Sequence, residues 1–198
     1  MSGAVNRYTI SFDKRVPWQY NSIRCCQQQP KTAVIRRIAG ILMKVGIGQD
    51  SHRFDFDNTE KALILGGIVF EGEPPLKGNS DADVILHSIT NAISGVTCVN
   101  ILGDISDELC LGQGVTDSSV YLREAMKYLK DYRIVHLSLS IECKRPKISP
   151  RIGELRQSLS VLLGIPENCI GITATSGEGL TPFGQGLGIQ VFSIITVI

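Results

Sequence analysis

No apolar run in the 198-residue chain approaches the roughly 18 residues that a membrane helix needs. Its longest, such as Ala39-Gly40-Ile41-Leu42-Met43 and Ile194-Ile195, are far shorter. Net charge is almost absent: 20 Lys+Arg stand against 19 Asp+Glu, a formal charge of +1. That excludes a whole-chain basic footprint for nucleic acid. Aromatics are 6% of the residues and histidines number three: His52, His87 and His136. Any histidine-based site is therefore drawn from a very short list. The six cysteines (Cys25, Cys26, Cys98, Cys110, Cys143, Cys169) form no C-x-x-C pair. They are too sparse for a disulfide scaffold and read as idle thiols in a reducing compartment. No Gly-Lys-Ser/Thr follows a glycine loop, so a P-loop is excluded. What is present is ordinary globular composition, 43% hydrophobic and 20% charged, which excludes wholesale disorder.

The charge is unevenly spread. Residues 1–43 hold one acid, Asp13, against basic residues that include Lys14, Arg15, Arg24, Lys31, Arg36 and Arg37. The rest of the chain carries an excess of acids. Residues 1–43 show no sustained period and no long apolar core of a secretory signal. We expect a poorly ordered basic extension with translation starting at Met43, which places the protein in a bacterial cytoplasm. A transit peptide for plastid import is the alternative reading of the same basic, acid-poor composition.

From Lys44 the pattern becomes regular. Lys44–Gly48 begins a strand. Ala62–Leu65, Gly66-Gly67 and Ile68–Phe70 read as strand, bend and strand. Ser80-Asp81 reads as the cap of a helix whose apolar positions, Val84, Ile85, Ile89, Ala92 and Ile93, are spaced by three and four. Gly103–Gly114 reads as a polar loop. Asp117-Ser118 caps a second helix, with Val120, Leu122, Ala125, Met126 and Leu129 on its apolar face. Ile134–Ile141 alternates as a strand. A third helix covers Arg151–Leu163 and stops at Gly164. Ile170–Thr175 is a strand, Ser176–Gly186 a glycine-rich loop, and Leu187–Ile198 a last strand. The order predicts one α/β (α+β) domain over 44–198, with a mixed sheet of about four strands and about three helices. The last strand is apolar on both faces (Ile189, Val191, Ile194, Ile195, Val197, Ile198), so it calls for two dry surfaces. A subunit interface or further helix packing would supply the second.

Four constellations could carry chemistry. Asp50 and His52, two apart on an extended chain, project to one side and can share a metal ion. His87, on the first long helix, is the better third ligand; His136 has no acid near it in sequence. Three ligands would leave a position open for substrate. Asn79-Ser80-Asp81-Ala82-Asp83 caps a helix and can present donors to an anion. Asp83, one turn before His87, could orient it. Thr173–Thr181, with Gly184-Gln185-Gly186, gathers hydroxyls, glycine amides and Glu178 after a strand. That is either a flexible connection or a phosphate cradle with a carboxylate for Mg²⁺. Lys144-Arg145-Pro146-Lys147 is a solvated loop or a clamp for one phosphate.

In order, V-G-I-G-Q-D-S-H-R-F, L-G-G-I-V-F, N-S-D-A-D-V-I-L-H, L-G-D-I, R-P-K and T-A-T-S-G-E-G-L resemble the 2-C-methyl-D-erythritol 2,4-cyclodiphosphate synthase family. G-I-G-Q-D-S-H-R-F and A-T-S-G-E-G-L-T are similar to its chlamydial branch. The resemblance covers Lys44 to Ile198. It implies a homotrimer with active sites between subunits. It implies Zn²⁺ on Asp50, His52 and His87, and Mg²⁺ or Mn²⁺ near Glu178. Asn79 and Ser80 would meet substrate phosphate, with Asn79 and Ser176 as catalytic donors. Asp104, Ile105 and Ser106 would hold the methylerythritol. Lys147, within the Cys143–Ser149 loop, would bind the cytidine end together with Ala174, Thr175, Ser176 and Gly177. The implied reaction turns 4-diphosphocytidyl-2-C-methyl-D-erythritol 2-phosphate into the cyclic diphosphate and CMP, in the non-mevalonate isoprenoid pathway. The chain departs from the usual pattern at Asn79, for a histidine, at Asn91, for an acid, and at Gln185, for an arginine. Its 104–117 stretch is also shorter. A zinc-dependent phosphohydrolase and an inactive trimeric binding protein use the same residues differently. Neither nucleic acid nor membrane is an expected partner.

Overall fold

The computed structural model describes residues 42–198. The expected basic extension over 1–43, and with it the reading of Met43 as a start site, therefore lies almost wholly outside the described residues. The strands are β1 (Lys44–Arg53), β2 (Leu63–Leu65), β3 (Ile68–Phe70), β4 (Ile134–Glu142), β5 (Ile170–Thr175) and β6 (Gly188–Val197). The helices are α1 (Val84–Thr97), α2 (Asp104–Asp107), α3 (Ser118–Lys127) and α4 (Ile152–Leu163).

One four-stranded sheet has the order β1-β6-β4-β5, antiparallel except for the parallel pair β4–β5. β2 and β3 form a separate hairpin across the positive-φ pair Gly66-Gly67. The mixed sheet and single domain expected from the strand-and-helix order are both present. Three long helices stand where the periodicity put them. The stretch read as a polar loop adds a fourth, α2, followed by a π-helical turn over Glu108–Gly112. Its scattered charges hide that turn from any apolar period.

α1 lies across the inner face of β1. Gly46 and Gly48 leave no room for a side chain there: a Cβ on Gly48 would strike the Ser88 carbonyl, and one on Gly46 the Ala92 carbonyl. The helix thereby sits against the strand that carries Asp50 and His52. Ser193 Oγ donates to the Ser88 carbonyl (2.7 Å), tying β6 to the same helix turn. Ile85, Leu86, Ile89, Ile93, Leu137, Leu139, Val191 and Ile195 fill the core between helices and sheet.

The cap of α1 differs from the expectation. It is Asp83, whose carboxylate accepts from the Ile85 and Leu86 amides at 3.1 Å each. Ser80 and Asp81 instead make tight turns just upstream, onto the Ala82 and Asp83 amides. Asp83 also accepts from Gly66 and Gly67 of the hairpin turn (2.9 and 2.7 Å). A buried carboxylate that accepts from four amides can cap the helix and hold the hairpin turn at once, which a single serine hydroxyl cannot. Burial pushes the Asp83 carboxyl up to about 6, although the Gly67, Gly66 and Leu86 amides pull it down.

β6 turns Ile189, Val191, Ile195 and Val197 inward and leaves Ile194 outward beside Phe192. Ile198 lies just past the strand and is half-buried. Opposite them on β1 stand Val45 and Ile47, which pairs with Ile194. All four outward side chains are at least 43% exposed and form one apolar patch on the outer sheet face.

Candidate active site

The registers of β1 and α1 bring three of the predicted residues together. Asp50 Oδ2 lies 3.0 Å from His52 Nε2 and 3.0 Å from His87 Nδ1. One ligand atom from each lies within 4.8 Å of the others. Asp50 and His52 are partly exposed and His87 is buried at the floor. The period-two argument for Asp50 and His52 therefore holds, and His87 completes the set. His136 lies exposed beside a bulge in β4, away from it.

The other ring nitrogens are occupied. His52 Nδ1 is 2.7 Å from the Lys77 carbonyl, which can only accept. Nδ1 must carry a proton, so Nε2 is the nitrogen that donates to Asp50 in the metal-free protein and that a metal would take. His87 Nε2 meets Ser118 Oγ at 2.8 Å. One carboxylate and two imidazole nitrogens directed at it are a suitable donor set for a divalent transition metal. Burial raises the Asp50 pKa, but hydrogen bonds and charge from His52 and His87 outweigh it and hold the carboxyl far below its usual range. Burial lowers His52, yet the Asp50 hydrogen bond and charge, with the Lys77 carbonyl, leave its pKa raised above 6.5.

A cleft opens beside the triad. Asp50, His52, Asn79, Ser80, His87 and Ser106 line it. Gly78, Asn91, Leu102, Cys110 and Tyr121, none of which was singled out for a role, complete its wall. Asn79 is exposed and Ser80 buried. Lys61 Nζ donates to the Gly78 and Ser80 carbonyls (2.9 and 3.0 Å), fixing the loop that carries Asn79. Ser106 Oγ donates to the Gly103 carbonyl and accepts from its amide, both at 3.0 Å. Asp104 begins α2, and Ile105 is half-buried against the core.

The remaining predicted residues stand elsewhere. Lys147, Ala174, Thr175 and Ser176 line a second cleft with Cys143, Lys144 and Ile148. Gly177 and Glu178 follow in a tight turn in which Glu178 is exposed at a φ of 54°. Glu178 is not among the residues gathered around the triad. Asp83, expected to orient His87, does not reach its ring; its carboxylate is spent on backbone amides. The ring's partner is Ser118. Sequence separation hid that contact, since the two are 31 positions apart. The four described cysteines are free.

A model described as the YgbB family matches residues 43–198. The chain belongs to this family. A relative from Chlamydia abortus named 2-C-methyl-D-erythritol 2,4-cyclodiphosphate synthase is 51% identical over 157 residues, covering 79% of this chain and 89% of its own. A relative of the same name from Chlamydia trachomatis serovar D is 52% identical, covering 79% and 88%. Among solved structures, a Plasmodium falciparum IspF complex with CDP is 28% identical with a TM-score of 0.65, over 79% of this chain and 96% of that one. A bifunctional IspDF from Campylobacter jejuni, 23% identical with a TM-score of 0.71, shares the fold over 42% of its longer chain. The family resemblance read from six ordered motifs, and its chlamydial flavour, are thus both found.

Proposed function

We propose that this YgbB-family chain is a cyclodiphosphate synthase that forms 2-C-methyl-D-erythritol 2,4-cyclodiphosphate and CMP from the cytidylated 2-phosphate. The observation that carries the reading is the Asp50–His52–His87 cluster opening into a cleft walled by Asn79, Ser80 and Ser106. Family membership and relatives of about half identity carrying that name support it. The 2-phosphate attacks the β-phosphorus of the diphosphate, and the bond to the CMP oxygen breaks. Both partners are anionic. Bound divalent cations, Zn²⁺ on the triad and Mg²⁺ or Mn²⁺ at Glu178, would supply the opposing charge.

The chain's own residues supply the rest. Asn79 and Ser176 donate to phosphate oxygens as charge develops. Ser80 holds phosphate beside the triad. Asp104, Ile105 and Ser106 receive the methylerythritol. Lys147 and the backbone of Ala174–Glu178 receive the cytidyl phosphate end. No protein nucleophile is needed, because the attack is intramolecular; holding the folded-back conformer can be worth up to about 7–11 kcal/mol.

On one chain the triad cleft and the Lys147–Ser176 cleft share no lining residue. We read the complete site as shared between neighbouring subunits of a homotrimer, with the exposed Val45, Ile47, Phe192 and Ile194 patch at the interface. We place the enzyme in the cytoplasm; no described helix is long and apolar enough to cross a membrane. The test is phosphorus NMR of the protein with the cytidylated substrate, Zn²⁺ and Mg²⁺. Equal CMP and cyclic diphosphate, abolished by chelator, is the expected result. CMP with an open-chain phosphate would make it a hydrolase. Binding without CMP release would make it a binding protein.

A further inference from the structure

We propose that Ser118 and Asp81 are a positioning pair that sets the tautomer and ring orientation of His87. The inference rests on reading Asp50, His52 and His87 as metal ligands. Three separate segments meet here: His87 on α1, Asp81 in the loop before it, and Ser118 in the first turn of α3. Ser118 is fully buried and His87 is 8% exposed. Ser118 Oγ hydrogen-bonds Asp81 Oδ1 on one side and lies 2.8 Å from His87 Nε2 on the other.

The direction of these bonds follows from donor arithmetic. A hydroxyl has one hydrogen, and an ionised carboxylate only accepts. The Ser118 hydrogen therefore goes to Asp81. Ser118 Oγ is left to accept, so His87 Nε2 carries the ring proton and donates. Nδ1, 3.0 Å from Asp50 Oδ2, is then the nitrogen whose lone pair is open to a metal ion shared with Asp50. If Ser118 donated to His87 instead, the ring proton would move to Nδ1 and block that position. Asp81 is what decides between the two. It is held in turn: its carboxylate accepts from the Ser118 amide (3.1 Å), and its own amide donates to the Thr116 carbonyl (2.8 Å). Neither partner can swing away without breaking a second bond. His52 gets the same service from a backbone carbonyl, that of Lys77. His87 has no carbonyl at its outer nitrogen and uses a side-chain pair.

The experiment titrates the full chain, stripped of metal, with Co²⁺ and follows its visible absorption, with Zn²⁺ competition for affinity. Wild-type protein that binds no Co²⁺ or Zn²⁺ would overturn the ligand reading and this inference together. With wild type binding, Ser118→Ala is expected to weaken the metal by about 10–100-fold and to change the Co²⁺ band, the usual cost of losing a ligand's outer partner. Asp81→Asn, equal in size, is expected to do the same, because its amide can donate to Ser118 and release the hydroxyl toward His87. The double variant should be no worse than the poorer single, as for groups acting through one chain. Melting of the chelated proteins should match wild type. Wild-type affinity and spectrum in both variants, additive losses, or affinity falling only alongside the chelated melting temperature would each overturn the pairing.

Discussion

At the residue scale, His52 is the most exposed imidazole of the triad and the most easily tested. His52→Ala removes a ligand outright, so metal loss should exceed the roughly 10–100-fold expected for an outer partner. Metal content after gel filtration and CMP release both check it; a variant that keeps full metal and turnover would remove His52 from the site. The same residue sets a pH dependence. Its folded pKa is raised above 6.5 by Asp50, after burial has worked the other way. In metal-free protein, its stabilisation is complete below 6.5 and is lost as pH rises through the raised value. The Asp50 contribution runs oppositely: it is present above 3.8 and lost as pH falls toward its lowered pKa. The metal-free pair is thus at its best between those limits. A metal must displace the His52 proton, so affinity should climb with pH through the raised pKa and then flatten. Melting of chelated and zinc-loaded protein across pH 5–9 would show the gap widening upward. A constant gap would contradict the assignment.

At the element scale, the fold delivers the site through two contacts. One is the close approach of α1 to β1. Gly48→Ala would drive a methyl group into the Ser88 carbonyl. Overpacking usually costs about 1–3 kcal/mol, and backbone yields less than side chains do. Chemical denaturation should show at least that loss, with weaker metal binding because Asp50 is two residues along the strand. The other contact is the Asp83 carboxylate, which caps α1 and gathers the hairpin turn. Loss of a cap costs about 0.5–2 kcal/mol, and each stranded buried amide about 1–3 kcal/mol. Asp83→Ala should therefore lower stability by more than a cap alone, about 2–4 kcal/mol. Asp83→Asn, which keeps an acceptor, should lose less. Equal losses would mean that the hairpin amides are satisfied elsewhere.

At the scale of the whole molecule, the outer sheet face carries the proposed assembly. Ile47 and Ile194 pair across β1 and β6 and both face outward. Both are well exposed, so the single change Ile194→Glu should leave each chain folded. An unpaired charge buried in the apolar interface would then keep copies apart. Sedimentation should report monomers with wild-type circular dichroism, and CMP release should fall with the trimer. Turnover retained by a monomer would mean that one chain holds a complete site.

Much of this was legible in the residues. Period two placed Asp50 beside His52; period 3.6 placed His87 on α1; Gly66-Gly67 marked the hairpin; β4 stands at Ile134–Glu142, where alternation predicts a strand over Ile134–Ile141. These are local signals, fixed by backbone geometry within a few residues. The sequence by itself determined the strands, the three long helices, their order, the donor types and the family to which the motifs belong, but not α2 and the turn after it. Only the tertiary structure decided which atoms meet. It gave the cap to Asp83 and the His87 ring to Ser118, and it separated the Glu178 turn from the triad on a single chain. Such pairings depend on how α1, α3 and the sheet pack over separations of tens of residues, and no local period carries that information.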